Sequence, residues 1–304
     1  MLRTLIWALL ALLASAALRA EILVRDDTGQ TLRLAHTARR IVSLAPHITE
    51  NLYAAGAGGR LIATVDASDY PAAAKALPRV GSNGMVDLEA IVALRPDLVI
   101  AWQTGTSLAH LDKLRAMGLV IYLSEPKRID DVAGEIERFG QLAGSEPTAL
   151  LAANRFRQRL AKLRSDYAER PRVRTFYQIW KQPLMTVGGG QIIADAIRLC
   201  GGENVFGQLT LLAPTVTVEA VLAQDPEAIV ASGMDAARPE WLDDWKIWRK
   251  MTAVSRGNLF FVPPELIQRH TLRLLDGAEM LCRHLQTART HRPVPVNQPP
   301  KGSP

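Results

Sequence analysis

LEAIVALRPDLVIA, at residues 88–101, returns 130 positions later as VEAVLAQDPEAIVA, at residues 218–231. Each copy predicts a short helix, a turn that contains proline and a buried strand. This spacing far exceeds the roughly 20–50 residues of a solenoid repeat, so the copies indicate two related lobes. Two α/β lobes that face each other form a cleft, and clefts between domains are common binding places for small ligands.

Strands and helices alternate around both copies. The predicted strands of the first half are 40–44, 61–65, 98–101 and 120–123, and those of the second half include 173–179, 228–231 and 259–262. This alternation is typical of parallel sheets with helices on both faces. The sequence therefore predicts an α/β protein with two doubly wound, Rossmann-like lobes and a ligand cleft between them.

A long helical tract separates the two copies. Gly144 ends one helix, and Ser145 and Pro147 suit the start of a second helix that continues to about Tyr167. We interpret this second helix as a stiff connection between the lobes. The predicted organisation is a signal peptide at 1–20, an N-terminal lobe at 21–143, a connecting helix at 144–168, a C-terminal lobe at 169–288 and a disordered tail at 289–304.

The first twenty residues have the pattern of an export signal. Arg3 precedes an apolar run from Leu5 to Leu18, and small residues lead to an expected cleavage site near Ala20. The run is short for a membrane span, and a retained N-terminal anchor is the alternative. No cysteine lies near the cut, so a lipid anchor has no attachment point. We therefore expect an exported protein that is free and soluble after cleavage.

The charge of the chain gives no sign of a nucleic-acid partner. The net charge of +6 falls to +4 when Arg3 and Arg19 leave with the signal peptide. The remaining Lys and Arg residues are scattered and form no basic face interleaved with aromatic residues, so nucleic-acid binding is not expected. The tail after about Thr290 is rich in proline and lacks apolar periodicity, which favours disorder.

Cys200 and Cys282 are the two cysteines of the chain. In an oxidising compartment they favour a disulfide, which would close a loop of 82 residues. Its contribution from chain entropy is at most roughly 4 kcal/mol. Metal binding by two isolated thiolates is the alternative.

Motifs for catalysis are absent from the sequence. The triple glycine at 188–190 lacks the Lys-Ser/Thr of a phosphate-binding loop and the spacing of a dinucleotide fingerprint, so it predicts a turn between a strand and a helix. No Gly-x-Ser-x-Gly motif occurs, and no pair of histidines has the i, i+4 spacing of a zinc helix. No catalytic residue, metal site or cofactor is therefore expected, and a cell-envelope enzyme is the alternative.

Several aromatic residues follow predicted strands, where parallel α/β sheets border their ligand crevice. Trp102 follows the strand of the first copy, Tyr70 lies in the loop 68–71, and Trp180 follows the first strand of the second lobe. Such side chains offer flat stacking surfaces, with ordinary core or rim packing as the alternative. Helical spacing in a second set predicts core positions instead, at Trp241, Trp245 and Trp248.

Four charged residues are further candidates. Glu265 and Arg269 follow the last predicted strand and could meet polar groups of a ligand, with a solvated surface position as the alternative. Glu89 and Glu219 hold the same position in the two copies. They either complement the helix dipole, at about 0.3–1 kcal/mol each, or form a matched pair of acidic contacts for a basic partner.

Several ordered motifs carry a resemblance to a known family. They are RIVSLAP at 40–46 with Thr49-Glu50, SDYP at 68–71, DLE at 87–89 leading to Trp102, and CGGENVF at 200–206 with Cys282. From about residue 39 to 287 the chain resembles the periplasmic cobalamin-binding proteins of ABC importers, within the broader family of iron-complex and cobalamin binders. The resemblance includes the disulfide of that family.

The resemblance implies two lobes bridged by one long helix, a ligand held between the lobes and a small closure on binding. It implies that Glu89 and Glu219 dock on arginines of a membrane permease, which works with its ATPase subunits. The positions that it implies for the cobalamin site are Trp102, Arg269 and Glu265, with Tyr70 in a matching loop and Trp180 near an aromatic position of the second lobe.

The chain departs from this family at two stacking positions. The best-known members carry a tryptophan where Asn83 stands here, and another where Ala213-Pro214 stands. We therefore expect these two stacking surfaces to be missing or moved, with Trp180 as a candidate replacement. The predicted function is the capture of cobalamin or a related corrinoid for an ABC importer. The alternative is a haem or ferric-siderophore binder whose iron is contacted by Tyr177, Tyr70 or His47.

Overall fold

The computed structural model describes residues 21–82, 85–167, 169–234 and 236–293. The predicted signal peptide, most of the predicted tail and Asn83 lie outside these residues. The chain divides into two compact units. The first unit extends to Glu125 and includes Gly134–Ala152, and the second comprises Pro126–Ala133 and the chain from Ala153 onward.

The strands of the two units follow one another along the chain. The first unit contains β1 (Ile22–Arg25), β2 (Thr31–Leu34), β3 (Ile41–Ser43), β4 (Leu61–Ala63), β5 (Gly81–Ser82), β6 (Met85–Val86), β7 (Leu98–Trp102) and β8 (Ile121–Ser124). The second unit contains β9 (Val173–Gln178), β10 (Gly202–Asn204), β11 (Ala228–Ala231) and β12 (Leu259–Phe261). β1 and β2 form an antiparallel hairpin that is absent from the predicted strands.

The helices include the predicted long helix between the two copies of the repeat. The α-helices are α1 (Pro46–Ala54), α2 (Leu88–Ala93), α3 (Leu108–Ala116), α4 (Ile129–Ala143), α5 (Glu146–Tyr167), α6 (Ile192–Leu199), α7 (Val218–Gln224), α8 (Thr252–Ser255), α9 (Pro264–Ile267) and α10 (Leu274–Thr290). α5 is the predicted long helix, and the chain passes from one unit to the other after Glu125, within α4 and again within α5. In the described part of the chain, no helix has both the length and the apolar character of a membrane span.

Each unit is built on a four-stranded parallel sheet with the same strand order. The order is β4-β3-β7-β8 in the first unit and β10-β9-β11-β12 in the second. In each sheet, the strand that comes first in the sequence (β3 or β9) lies second in the order. The next strand in the sequence forms the edge beside it, and the two later strands lie on its other side. The predicted α/β class with two doubly wound lobes is confirmed.

The repeated phrase forms the same structure in both units. Asp87 caps α2 and Thr217 caps α7, and each side chain accepts a hydrogen bond from the backbone N–H three residues on, at 2.9 and 3.2 Å. Arg95 and Asp225 then take the left-handed conformation, with φ of 46° and 40°, directly before the proline. These two residues turn the chain into β7 and β11, so the predicted helix, turn and strand are confirmed in both copies.

Equivalent positions of the repeat also fill the two cores. Ile91 on α2 and Val221 on α7 are fully buried, as are the strand residues Val99 and Ile229. Each pair packs within the apolar cluster of its own unit. Burial of such a side chain contributes about 1.5–3 kcal/mol, so the repeat stabilises each sheet from one face.

The triple glycine is a point of close backbone contact. A Cβ on Gly188 would lie 2.0 Å from the carbonyl oxygen of Leu211, and one on Gly189 would lie 2.1 Å from that of Gly207. The amides of these two glycines donate to carbonyl oxygens of the same segment. The predicted turn between a strand and a helix is therefore confirmed, and its glycines leave room for a neighbouring loop.

The end of α10 lies beyond the start of the predicted tail. The helix continues to Thr290, so it includes the first two residues of the segment 289–304. Arg289 is held there because its guanidinium donates to the carbonyl oxygens of Pro171 and Cys200, both at 2.7 Å. These contacts are distant in sequence, and composition alone does not indicate them.

Candidate functional site

The strand order places a crevice at the same point of each sheet. β3 and β7 are neighbours, but the chain continues from β3 to β4 on one side and from β7 to β8 on the other. β9 and β11 are the equivalent pair in the second unit. In open α/β sheets, ligands bind outside the carboxyl ends of such a strand pair. The residues that follow these four strands are therefore the first candidates for a site.

In the first unit, Trp102 and His47 border this crevice. Trp102 is the last residue of β7, and His47 lies in the first turn of α1, shortly after β3. Their rings meet edge to face, with centroids 5.4 Å apart and planes at 87°. His47 is 5 % exposed, so its imidazole forms a buried wall for the indole rather than an open iron ligand.

Gly105 also contacts the indole of Trp102. A Cβ at position 105 would lie 1.9 Å from Cε3 of the indole, far inside van der Waals contact. The loop turns tightly here, and the amide of Thr106 donates to the carbonyl oxygen of Trp102 at 2.9 Å. The indole therefore occupies the space that a side chain at position 105 would need, so glycine is required there.

The loop that carries Trp102 is anchored to its own unit. The amide and hydroxyl of Thr104 donate to the carboxylate of Glu125, at 2.9 and 3.2 Å. The amide of Glu125 donates in turn to the carboxylate of Asp27 at 2.7 Å, and Asp27 forms an ion pair with Arg138. Because Asp27 lies between β1 and β2, the unpredicted hairpin supports the loop next to the crevice.

Tyr70 lies in the loop that follows β4, and this residue is 45 % exposed. Buried hydroxyls hold this loop: Thr64 Oγ1 lies 2.6 Å from Thr49 Oγ1 and donates to Ser68 Oγ at 2.8 Å. The guanidinium of Arg79 donates to the carbonyl oxygen of Ser68 at 3.2 Å. Tyr70 is therefore an open ring on a fixed loop at the carboxyl edge of the sheet.

In the second unit, Trp180 follows β9 on a short hairpin. The amide of Ile179 donates to the carbonyl oxygen of Met185 at 2.9 Å, and the amide of Met185 donates to that of Trp180 at 3.1 Å. The indole N–H of Trp180 donates to the carbonyl oxygen of Gln182 at 3.0 Å. Trp180 is 37 % exposed and offers a flat surface whose polar N–H already donates a hydrogen bond.

Polar groups follow β11 and β12 in the second unit. Gln268 Nε2 donates to Ser232 Oγ at 2.6 Å and to the carbonyl oxygen of Gly233 at 3.2 Å, which ties the loop after α9 to the end of β11. Arg269 is the next residue, and Glu265 lies in the first turn of α9. Both side chains are half-buried. The structure thus places them at the same sheet edge as Trp180.

Tyr177 is ruled out as an iron ligand of a surface site. It lies inside β9 and is fully buried, and burial raises the pKa of its hydroxyl. His270 is also buried, and burial lowers the pKa of its imidazole to about 4, which keeps the ring neutral near pH 7. Of the three residues predicted for an iron site, Tyr70 alone has an exposed ring.

The prediction that Trp241, Trp245 and Trp248 are core residues is wrong for Trp248. Trp245 is buried, and its indole N–H donates to Gln178 Oε1 at 2.7 Å. Trp248, however, is 40 % exposed, because a 3-10 helix over Glu240–Ile247 ends before it. The three tryptophans border an apolar groove of 240 Å³ beside the end of β9, together with Leu184, Val218 and Ile247.

Glu89 and Glu219 are exposed in the first turns of α2 and α7. The carboxylate of Glu219 accepts hydrogen bonds from its own backbone N–H and from the Thr217 hydroxyl, and these hold its pKa below the usual range. Each unit therefore presents one glutamate at the same point of its repeat.

Cys200 and Cys282 form the predicted disulfide, with their Cα atoms 4.6 Å apart. The bridge joins the end of α6 to α10, and both cysteines are buried. The alternative of metal binding by these thiolates is therefore wrong. Among the residues that the structure describes, no group of three His, Cys, Asp or Glu side chains is placed to hold a metal ion.

Sequence reasoning missed Gly105 and Gln268 as supports of the candidate site, and it treated His47 solely as an iron ligand. The strand-order rule offers a signal for His47, because this residue follows β3 at the crevice. Gly105 carries no such signal, because its importance depends on the ring of Trp102 against it.

Comparison with known proteins places this geometry in a family. The model of a family described as periplasmic binding protein matches residues 41–266. The vitamin B12-binding protein of Vibrio cholerae serotype O1 is 37 % identical over 252 residues, which cover 83 % of this chain and 90 % of that protein. The vitamin B12-binding protein of Yersinia pestis is 35 % identical over 262 residues, which cover 86 % and 90 %.

Solved structures agree with this assignment. The crystal structure of the periplasmic vitamin B12 binding protein of Vibrio cholerae has a TM-score of 0.77 and 36 % identity, and the match covers 83 % of this chain and 98 % of that one. A periplasmic heme binding protein from Pseudomonas aeruginosa has a TM-score of 0.70 at 23 % identity, over 84 % and 95 %, a likeness of fold alone. The chain belongs to the periplasmic binding protein family.

Proposed function

We propose that this protein captures cobalamin, or a related corrinoid, in the periplasm and delivers it to the permease of an ABC importer. The identity of 37 % to a vitamin B12-binding protein over 83 % of the chain carries the proposal. The supported indole of Trp102 at the crevice of the first sheet agrees with it. Capture and delivery need no bond-breaking step, in keeping with a sequence that lacks catalytic motifs.

The proposed contacts follow from the chemistry of a corrin, a broad and nearly planar ring that carries amide side chains. Flat aromatic faces suit the ring, and a few polar groups suit the amides. The residues proposed for stacking are Trp102, Tyr70 and Trp180, and those proposed for polar contacts are Glu265 and Arg269. Trp180 would replace a stacking surface that family members carry at Asn83 or at Ala213-Pro214. The corrinoid is cargo, and no resident cofactor or metal is proposed.

Glu89 and Glu219 are proposed to dock on arginines of the permease, which works with its ATPase subunits. Their matching positions and exposure support this role. Ion pairs at the rim of an interface set orientation and encounter rate more than affinity. One glutamate in each unit would therefore fix how the loaded protein meets its permease.

The periplasmic location is proposed together with export. Residues 1–20 would act as a signal peptide that is cleaved near Ala20, and the mature protein would work as a monomer. The Cys200–Cys282 disulfide supports an oxidising compartment.

A titration series tests the proposed ligand. Purified mature protein is titrated by calorimetry with cyanocobalamin, cobinamide, haemin and a ferric hydroxamate siderophore. We expect one-to-one binding of the corrinoids and no saturable binding of the iron ligands. Tight binding of haemin or the siderophore without corrinoid binding would replace the proposal, and conversion of cyanocobalamin to a product would indicate an enzyme.

The Trp102→Ala variant tests the proposed stacking residue in the same assay. Loss of a large buried side chain should weaken corrinoid binding by about 1–3 kcal/mol. Unchanged affinity would remove Trp102 from the site.

A further inference from the structure

A second cavity lies in the second unit, away from the crevice of its sheet. We call this 680 Å³ space the arginine cavity, and its charged lining is Arg128, Asp130, Asp131, Arg164, Arg170, Arg172, Asp195 and Arg198. Arg172 directly precedes β9, and Gly202, which also lines the cavity, begins β10. The cavity therefore borders the amino ends of these strands, whereas Trp180 follows a carboxyl end.

The three carboxylates of the arginine cavity are already engaged. Asp131 accepts hydrogen bonds from the amides of Lys127 and Arg128, at 3.0 and 2.9 Å. Asp195 accepts one from the amide of Ile129 at 3.0 Å and pairs with Arg198 at 2.8 Å.

The third carboxylate, that of Asp130, lies between two guanidinium groups. It pairs with Arg164 at 2.9 Å and with Arg128 at 4.0 Å. These arginines, like Arg198, keep 52–67 % of their side chains exposed. Exposed pairs contribute little, so a better anion can displace them.

Two further arginines add charge without acidic partners in the described residues. Arg170 donates from Nε to the carbonyl oxygen of Asp166 at 3.2 Å, and the guanidinium of Arg172 has no hydrogen bond or ion pair there. The lining thus carries five arginines against three aspartates. Arg289, outside the lining, is also close to other cations. Burial, and then repulsion by Arg292 and Arg170, lower the pKa of its guanidinium.

We propose that the arginine cavity binds a polyanion, a ligand that carries two or more phosphate or sulfate groups. A guanidinium offers a rigid fork of N–H donors that matches the oxygens of a phosphate two at a time. A volume of 680 Å³ is within the usual range for small-molecule sites, so several phosphate groups fit at once. A corrinoid, which is rich in neutral amides, does not need such a site.

Calorimetric titration of the full mature protein with inorganic tripolyphosphate tests this site. The test variant is Arg170→Ala/Arg172→Ala, which removes the two lining arginines that have no acidic partner among the described residues. The matched control is Arg249→Ala/Lys250→Ala, which removes two exposed charges of the same unit outside the cavity. Thermal unfolding confirms that both variants are folded.

We expect wild type and control to bind tripolyphosphate, and the test variant to bind at least about tenfold more weakly. Cyanocobalamin affinity should be the same in all three proteins. If wild type does not bind tripolyphosphate, or if the test and control variants lose the same affinity for it, the ligand of the cavity is not a soluble polyphosphate. Because corrinoid binding is read separately, a failure of the proposed transport function is distinguished from a failure of this site.

Cosedimentation with vesicles identifies a lipid source of the same chemistry. Wild type, test variant and control are mixed with phosphatidylcholine vesicles that contain or lack a phosphorylated anionic lipid such as cardiolipin. Binding to the anionic vesicles that depends on Arg170 and Arg172 would support the site and assign it to a headgroup. The proposal is refuted when neither tripolyphosphate nor anionic vesicles bind in a way that depends on these arginines.

Discussion

Replacement of Gly105 by alanine should displace the indole of Trp102 without touching the corrinoid itself. The new Cβ would lie 1.9, 2.5 and 2.6 Å from Cε3, Cδ2 and Cζ3 of the indole. Non-bonded carbon atoms rest about 3.5–4.0 Å apart, so the ring has to move by more than about 1 Å. The buried imidazole of His47 already occupies one side of it. We therefore expect the ring to leave its present position rather than adjust within it.

The expected loss of affinity approaches that of Trp102→Ala. A stacking side chain of this size is worth about 1–3 kcal/mol when its surface is fully used. This range corresponds to a dissociation constant about 5- to 150-fold higher for cyanocobalamin. Calorimetry measures the change, and near-ultraviolet circular dichroism reports the altered surroundings of the indole.

Gly59→Ala is the matched control, because a Cβ at position 59 meets nothing within 4 Å. Neither glycine has a left-handed φ, so alanine is compatible with the backbone at both positions. Gly105→Ala should have no further effect in the Trp102→Ala background. If Gly105→Ala binds cyanocobalamin as tightly as wild type while Trp102→Ala binds weakly, the position of the indole is not what the ligand depends on, and the reasoning fails.

Three other predictions concern docking and stability. Charge reversal of both Glu89 and Glu219 to lysine should abolish corrinoid uptake with the cognate permease yet leave ligand affinity intact; a loss of affinity would contradict the docking role. Serine at both Cys200 and Cys282 should lower the free energy of unfolding in urea by up to about 4 kcal/mol. Burial, and then repulsion by a neighbouring carboxylate, raises the pKa of Glu135 from 4.5 to about 8. Between these pH values the folded state keeps a proton that the unfolded chain loses. The free energy of unfolding in urea should therefore fall by up to about 1.4 kcal/mol per pH unit from pH 4.5 to 8. The Glu135→Gln variant should lack this slope.

The helix, turn and strand of each repeat copy could be predicted from the sequence, because the residues that determine them lie close together in the chain. The caps Asp87 and Thr217 and the proline turns lie within a few residues of the elements that they shape. The left-handed conformation of Arg95 and Asp225 was not predicted, because neither is a glycine. Both residues nevertheless hold the same place in the repeat, so the copies preserve this conformation as well as the hydrophobic pattern.

Much of the candidate site could not be predicted, because it depends on contacts between distant segments. The hairpin of β1 and β2 reaches the Trp102 loop through Asp27 and Glu125, which are 98 residues apart. Trp248 has the spacing of a core residue, but the end of the 3-10 helix leaves it exposed. In each case the sequence shows the residue type, while the partner that determines its role lies elsewhere in the chain.

The two units keep the same frame but differ at the residue that follows the repeated strand core. Trp102 in the first unit corresponds to Ser232 in the second, 130 positions later. The indole of Trp102 packs against His47 and Gly105, whereas Ser232 accepts a hydrogen bond from Gln268. Both residues lie at the carboxyl end of a strand, where each contacts the loops around it rather than the repeated helix. The first copy thus ends its strand with a partly exposed indole, whereas the second ends it with a buried hydroxyl that holds a neighbouring loop.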